Sequence, residues 1–233
     1  MELPNKKYKI ILADPPWKYD DNLGTDSAKM GGYDKYYKGM ELKDICALPI
    51  SDIADKDCVL FLWVTMPKLK EAFKVIEDWG FIYKTCAFSW IKLNPKSKTI
   101  FKGVGRWVQG NNELVLLCTK GKPKRITKDV SQIVMAQRDK HSRKPMEVYN
   151  RIERLMGNVP RIELFARFKR EGWDVWGNEA PNFTQLLFHS NKGDIINAEL
   201  NKIKDFTSDP AKLNFYKTNK RKILLENVPK RNI

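Results

Sequence analysis

Asp14-Pro15-Pro16-Trp17 is the stretch of this sequence whose residue types could do chemistry on an aromatic amine. The exocyclic amine of adenine is a weak nucleophile, because its lone pair is delocalised into the ring. Two acceptors aimed at its N–H groups would turn that lone pair toward an electrophile. Asp14 supplies a carboxylate, and the backbone carbonyl of Pro15 supplies the second acceptor. The consecutive prolines hold φ at about −65° and carry no N–H of their own, so the chain itself sets the carbonyl direction. Trp17 offers a flat face on which a base can stack, a contact worth roughly 1–3 kcal/mol that offsets much of the cost of unstacking. The competing reading is a Pro-Pro strand stop beside a core tryptophan. The position of the tetrapeptide at the C-terminal end of an apolar run favours chemistry, because α/β folds place their ligands there.

The elements that must position these residues read as alternating strands and helices. Tyr8 to Ala13 is a short aliphatic strand stopped by the prolines. Lys18 to Gly39 lacks apolar periodicity and reads as a long, lid-like loop carrying Tyr19, Tyr33, Tyr36 and Tyr37. Glu41 to Leu48 is a short helix, and Cys58 to Thr65 is a continuous apolar strand of the kind buried on both faces. Thr65 is the expected cap of the next helix, with Pro67 in its first turn and Gly80 at its end. Further strands are expected at Phe81 to Lys92, Glu113 to Thr119, Ser131 to Gln137, Arg161 to Phe168 and Trp173 to Trp176. Asn94 to Asn112 is a second loop, rich in Gly and Lys, and Pro145 opens a helix with Val148, Ile152 and Leu155 on one stripe. Such alternation predicts an α/β fold with a mainly parallel sheet and helices on both faces.

Forty-three Lys and Arg against twenty-eight Asp and Glu leave a net charge of +15. A surplus of that size attracts a polyanion at long range, and nucleic acid is the commonest one. Cys46, Cys58, Cys86 and Cys118 are scattered without a C-x-x-C pair, and His141 and His189 are the only histidines. A disulfide framework or a zinc centre is therefore not expected. The apolar stretch near the N-terminus is too short for a signal peptide or a membrane span, so a cytoplasmic, reducing setting is expected.

The ordered blocks ADPPW (13–17), LFLWVT (60–65), HSRKP (141–145), IERL (152–155), RIELFAR (161–167) and WGNE (176–179) resemble the DPPW-type adenine-N6 methyltransferases. That family includes the catalytic subunit of the eukaryotic mRNA adenosine methyltransferase and many bacterial and phage DNA methyltransferases. The resemblance runs from about Tyr8 to Asn182. It implies a Rossmann-like fold in permuted order, with the catalytic loop ahead of the cofactor-binding strand, and S-adenosylmethionine as cofactor. It implies that Asp14, Pro15, Pro16 and Trp17 form the catalytic loop, with Asp14 also at the cofactor. Lys144 resembles the residue that meets the carboxylate of the cofactor's methionine; as the residue before a helix start, it is well placed for an anion. Arg167, Asn178 and Glu179 resemble positions that bind the cofactor's ribose and adenine.

No inserted target-recognition domain is visible, so recognition of nucleic acid, DNA rather than RNA, falls to the loops 18–39 and 94–112 and to the C-terminal segment. That segment, 183–233, carries ten basic and five acidic residues and two amphipathic patterns, Asp194 to Phe206 and Pro210 to Glu226, so it reads as a basic helical extension of the 1–182 domain. A monomer, a homodimer and a heterodimer with a related subunit are all compatible with this sequence. The alternative reading is a non-catalytic, nucleic-acid-binding partner subunit. Such subunits tend to lose the catalytic motif, whereas Asp14 and Trp17 are both present.

Overall fold

The strand that ends at the prolines lies deep inside a seven-stranded sheet. The computed structural model describes residues 2–19, 39–103, 105, 107–139 and 143–178. In chain order these form β1 (Tyr8–Ala13), α1 (Leu42–Cys46), α2 (Ile50–Ile53), β2 (Ala54–Val64), a single 3₁₀ turn (Met66–Lys68) and α3 (Leu69–Asp78). There follow β3 (Ile82–Leu93), β4 (Asn112–Lys120), β5 (Ile133–Gln137), α4 (Met146–Met156), β6 (Arg161–Leu164) and β7 (Asp174–Trp176). The sheet order is β5-β3-β4-β2-β1-β6-β7. Every neighbouring pair is parallel except those made by β4, which runs against both β2 and β3.

Alternation along the strands divides the core into two layers. Ile11 and Ala13 of β1 join Leu60, Leu62 and Val64 of β2 on one face, where Ile45, Ile50, Val75 and Ile76 of α1–α3 cover them. Ile10 and Leu12 join Phe61, Trp63, Phe88 and Trp90 on the other face, under Val148, Tyr149 and Ile152 of α4. Both faces of β1 and β2 are therefore dry, which is why their sequences are continuous apolar runs. Helices lie on both faces of a mainly parallel sheet, as expected. Among the described residues, no helix is long and apolar enough to cross a membrane.

Two local expectations need correction. Thr65 makes no capping side-chain bond; the 3₁₀ turn holding Pro67 intervenes, and α3 starts only at Leu69. The expected strand from Arg161 to Phe168 stops at Leu164, because Phe165 takes a left-handed conformation, φ 60°, that no strand continues through. The stop at Gly80 is as expected. Gly80 has φ 76°, its N–H donates to Glu77, and the N–H of Phe81 donates to Ile76, which is the paired closure that favours glycine at this position. The loop 18–39 is described only at its two ends, and the C-terminal segment 183–233 lies outside the described residues.

Candidate active site

Strand direction brings the chemistry-bearing residues to one edge of the sheet. β1, β2, β3, β6 and β7 share a direction, so the segments that leave their C-terminal ends emerge together: Asp14, Thr65, Asn94, Phe165 and Gly177. β4 runs the other way and so presents its first residues, Asn112 and Glu113, at the same edge. Ligands of open α/β sheets bind in this crevice.

The 14–17 segment is held at both ends. The N–H of Asp14 donates to Leu164 at 3.5 Å, continuing the β1–β6 pairing by one residue. The N–H of Trp17 donates to the Pro15 carbonyl at 2.8 Å, and the N–H of Met40 donates to the Pro16 carbonyl at 2.8 Å. The Pro15 carbonyl thus keeps one of its two lone pairs for another donor. Trp17 is half-buried, and its indole Nε1 donates to the carbonyl of Trp63 at 3.3 Å. Gly39 lies so close to Lys18 that a Cβ there would stand 2.7 Å from the Lys18 Cα, and Trp17 pairs with Met40 as an isolated bridge. The two ends of the 18–39 loop are therefore clasped directly behind the tetrapeptide. Of its four tyrosines, Tyr19 is described, and its hydroxyl shares a hydrogen bond of 2.5 Å with Thr65 Oγ1.

Asp14 belongs to a line of four charges. Lys92 Nζ lies 2.5 Å from Glu113 Oε1, Glu113 Oε2 lies 2.8 Å from Lys144 Nζ, and Lys144 Nζ lies 3.1 Å from Asp14 Oδ1. The line is neutral overall and largely dry, with 11% exposure at Lys144 and 12% at Glu113 against 23% at Asp14. Asp14 is its most open carboxylate. Burial pushes the Asp14 carboxyl above the ordinary aspartate value; the Lys144 ammonium pulls it down, the Glu113 charge pushes it up, and burial wins. Burial acts on Glu113 in the same sense, but two lysines, Lys144 and Lys92, hold it below the usual glutamate range. For Lys144 burial disfavours the charge, yet Asp14 and Glu113 together raise its pKa, so it stays an ammonium. Its Nζ also lies 5.0 Å from the ring centroid of Trp63.

Beside this line runs a cleft lined by Asp14, Lys144, Glu163, Phe165, Arg167 and Phe168, among others. Glu163, in the middle of β6, is buried and accepts a hydrogen bond from the Tyr149 hydroxyl at 2.8 Å. Burial raises its carboxyl most; the Tyr149 bond lowers it, the Asp14 charge raises it again, and the result is a pKa of about 7. The wall after β6 is stapled to α4 through Glu153, which accepts from Trp173 Nε1 at 2.7 Å and from Arg170 Nε at 3.1 Å. Arg143, on the rim, lies 4.7 Å over the ring of Phe168.

The structure gathers Asp14, Lys144 and Arg167 along this cleft, with Pro15, Pro16 and Trp17 forming the turn that follows Asp14. Asn178 follows β7 at the same edge of the sheet, and Glu179 lies outside the described residues. Lys144 is not a solvated lysine but the hinge of the charge line. Sequence reading missed Glu113, Lys92, Glu163 and Tyr149. The available signal was an acidic residue opening or interrupting an apolar strand, as in ELVLLC and RIELF, since a lone charge placed there must find a partner. The four cysteines are free thiols, two buried and two half-buried.

Residues 8–179 match the MT-A70 family. The Type II methyltransferase M.MunI of a Mycoplasma species is 35% identical over 198 residues, covering 78% of this chain and 81% of that protein. The human N(6)-adenosine-methyltransferase catalytic subunit METTL3 is 28% identical over 177 residues, 74% of this chain but 28% of METTL3. An N(6)-adenosine-methyltransferase MT-A70-like protein of Arabidopsis thaliana is 28% identical over 175 residues, covering 24% of its length. With the motif at the end of β1, the cleft beside it and a match that spans most of the described chain, this protein is a methyltransferase of the MT-A70 family.

Proposed function

We propose that this chain transfers a methyl group from S-adenosylmethionine to the N6 amine of adenine in DNA, with Asp14 and the Pro15 carbonyl as the acceptors that orient the amine. The observation that carries this is the position of Asp14: its carboxylate is the open end of a buried charge line, at the mouth of a cleft, beside a carbonyl with a spare lone pair. The order of strand, DPPW loop and cleft supports a permuted Rossmann-like reading of the fold.

The residues present fit the cofactor. An amino-acid carboxylate needs cations, and the cleft offers Arg167, Lys169 and Lys144, whose ammonium has three donors of which Asp14 and Glu113 take two. The first N–H groups of α4 have no side-chain cap and add to that anion-binding end. A positively charged sulfonium and ammonium need anions, which Asp14 and Glu163 supply, and Phe165 and Phe168 offer apolar walls. Asn178 would pair with the adenine edge and Glu179 with the ribose hydroxyls. When bound, S-adenosylmethionine supplies an electrophilic methyl on sulfur.

The remaining work belongs to the chain. Lys144 holds Asp14 Oδ1, which leaves Oδ2 for one N–H of the amine and the Pro15 carbonyl for the other. Trp17, held by Trp63, limits the plane in which a base can lie. Asp14 Oδ2 is also placed to take the amine proton after transfer, and burial raises its affinity for that proton. Most of the rate then comes from positioning and from a dry, charge-balanced site.

Adenine N6 is supported by the names of the METTL3-type relatives. DNA is supported by the near full-length match to a compact Type II methyltransferase, against matches of about a quarter of the N(6)-adenosine-methyltransferases. The test is incubation with methyl-labelled S-adenosylmethionine and either DNA or RNA, followed by nucleoside identification. Label in N6-methyldeoxyadenosine is the expected result. Label in N6-methyladenosine alone reassigns the polymer, and no labelled nucleoside overturns the proposal.

A further inference from the structure

Glu163 stands in the middle of β6, 9% exposed, and its side chain lines the cleft beside Asp14. A buried carboxylate ordinarily recruits a cation. The cations nearest this one are committed elsewhere: Lys144 pairs with Asp14 and Glu113, and Arg170 with Glu153 and Asn150. The described partner of Glu163 Oε1 is a neutral hydroxyl, that of Tyr149, which donates at 2.8 Å. Tyr149 is itself held edge-on to Trp173, with ring centroids 5.6 Å apart. Each element packed on β6 brings its own group. Asp14 faces Glu163 from beyond β1, Tyr149 from α4, Lys144 from the segment before α4, and Arg170 from the segment after β6. On β7 the residue in register is the uncharged Val175, and Arg143, Arg167 and Lys169 line the same cleft. Burial and the Asp14 charge outweigh the Tyr149 bond and the cations, so the carboxyl titrates at about 7. Two carboxyls thus share one cleft; Asp14 keeps the lysine, and Glu163 keeps a proton up to neutral pH.

That arrangement suits a ligand whose charge changes during the reaction. S-adenosylmethionine carries a sulfonium, an ammonium and a carboxylate, and so has one net positive charge. S-adenosylhomocysteine is the same molecule with a neutral thioether and no net charge. Methyl transfer exchanges an S–CH3 bond for an N–CH3 bond, returns the electron pair of the broken bond to sulfur, and frees one proton from the amine. One positive charge is therefore lost at sulfur as one proton is set free in the same cleft, where Asp14 is placed to receive it first. A carboxyl that is charged beside a cation and neutral without one matches both states of such a ligand.

We infer that Glu163, positioned by Tyr149, is the counter-charge of the sulfonium: it is ionised while S-adenosylmethionine is bound and protonated beside S-adenosylhomocysteine, so that the cleft favours cofactor over product. This rests on the cofactor reading proposed above. A cation within about 4–6 Å lowers a carboxyl pKa by about 1–3, and by linkage the cofactor then prefers the ionised carboxyl by the same factor, roughly ten- to thousand-fold. The test is calorimetric titration of the full chain with each of the two ligands, in buffers of different ionisation enthalpy, from about pH 6 to about pH 8. Near pH 7, S-adenosylmethionine is expected to release roughly half a proton on binding, as a group half-titrated in the free protein and ionised in the complex must. S-adenosylhomocysteine releases none. The preference for S-adenosylmethionine rises roughly ten-fold across that pH range. Glu163→Gln, which still accepts from Tyr149, abolishes both the proton release and the rise while holding S-adenosylhomocysteine affinity within a few-fold. Tyr149→Phe removes a bond that favours the ionised form, and so moves the midpoint of the rise to higher pH. Equal proton release with the two ligands overturns the inference. So does release that persists in Glu163→Gln, which gives the proton to Asp14, or a midpoint that stays in place in Tyr149→Phe. A wild-type protein that binds neither ligand overturns the cofactor reading itself, and the inference with it, so the two failures are told apart.

Discussion

Asp14, just past the end of β1, and Glu163, on the neighbouring β6, are carboxyls that the protein treats differently. Asp14 keeps a lysine partner, whereas Glu163 has the Tyr149 hydroxyl and lies within reach of the Asp14 charge. Asp14→Ala is expected to lower turnover roughly 100- to 1,000-fold, the range seen when one oriented polar contact to a reacting group is removed. The fold should survive, because Lys144 keeps Glu113 at 2.8 Å. Turnover with labelled cofactor, alongside a thermal melt, checks both halves; activity within a few-fold of wild type defeats the assignment. Glu163 makes a prediction about stability. Its carboxyl titrates near 7 in the fold against 4.5 ordinarily, so the folded state binds more protons between those values. Stability therefore falls as pH rises through that window, and the full penalty stands above it. Glu163→Gln removes the penalty while still accepting from Tyr149, so it should be more stable than wild type at pH 8 by up to roughly 3 kcal/mol, with the gap closing near pH 4.5. Melting curves of both proteins across pH decide this; a constant gap defeats it. Neither carboxyl's partner was legible in the sequence. Asp14 announces itself through the prolines beside it, but nothing local in RIELF tells that Glu163 faces a tyrosine rather than solvent.

Elements decide which charges meet. Glu113 reaches Lys144 because β4 runs against its neighbours and so begins at the edge where β1 ends. Hydropathy located β4 to within a residue or two, but an apolar run does not encode strand direction, and the charge line was invisible for that reason. β1, β2 and the Gly80 stop were legible because each follows from a local rule: apolar runs buried on two faces, and a glycine closing a helix. The end of β6 was not, since a left-handed phenylalanine has no composition signal; its ring is held edge-on to Trp176 at 5.5 Å by a neighbour ten residues away or more. The element-level prediction concerns β4. The Glu113 charge raises the Asp14 carboxyl and competes for Lys144. Glu113→Gln should therefore lower the Asp14 pKa and move the acid limb of the turnover–pH profile to lower pH. An acid limb that stays in place, or moves up, would show that Asp14 does not govern it.

At the scale of the whole molecule the sequence is dominated by charge. The methyltransferase match ends at residue 179, and the segment 183–233 beyond it carries ten basic and five acidic residues, one third of the net surplus of +15. Its densest basic run, Lys217 to Lys222, follows the aromatic pair Phe215 and Tyr216. Among the described residues, the charge line and the cleft are built from positions 14–170. Each phosphate neutralised on duplex DNA adds roughly 0.9 to the slope of log affinity against log salt. Deleting 183–233 should weaken DNA binding, flatten that slope, and leave turnover at saturating DNA nearly unchanged. The opposing physics is burial: Asp194 to Phe206 and Pro210 to Glu226 carry helical apolar stripes, and such stripes stabilise by covering apolar surface. If they do so here, truncation gives a less stable or differently assembled protein with the wild-type salt slope. A salt titration of both forms, with a melt and a sedimentation run on each, separates attraction from packing, and a flattened slope in a truncated protein that melts like wild type is the result expected of attraction.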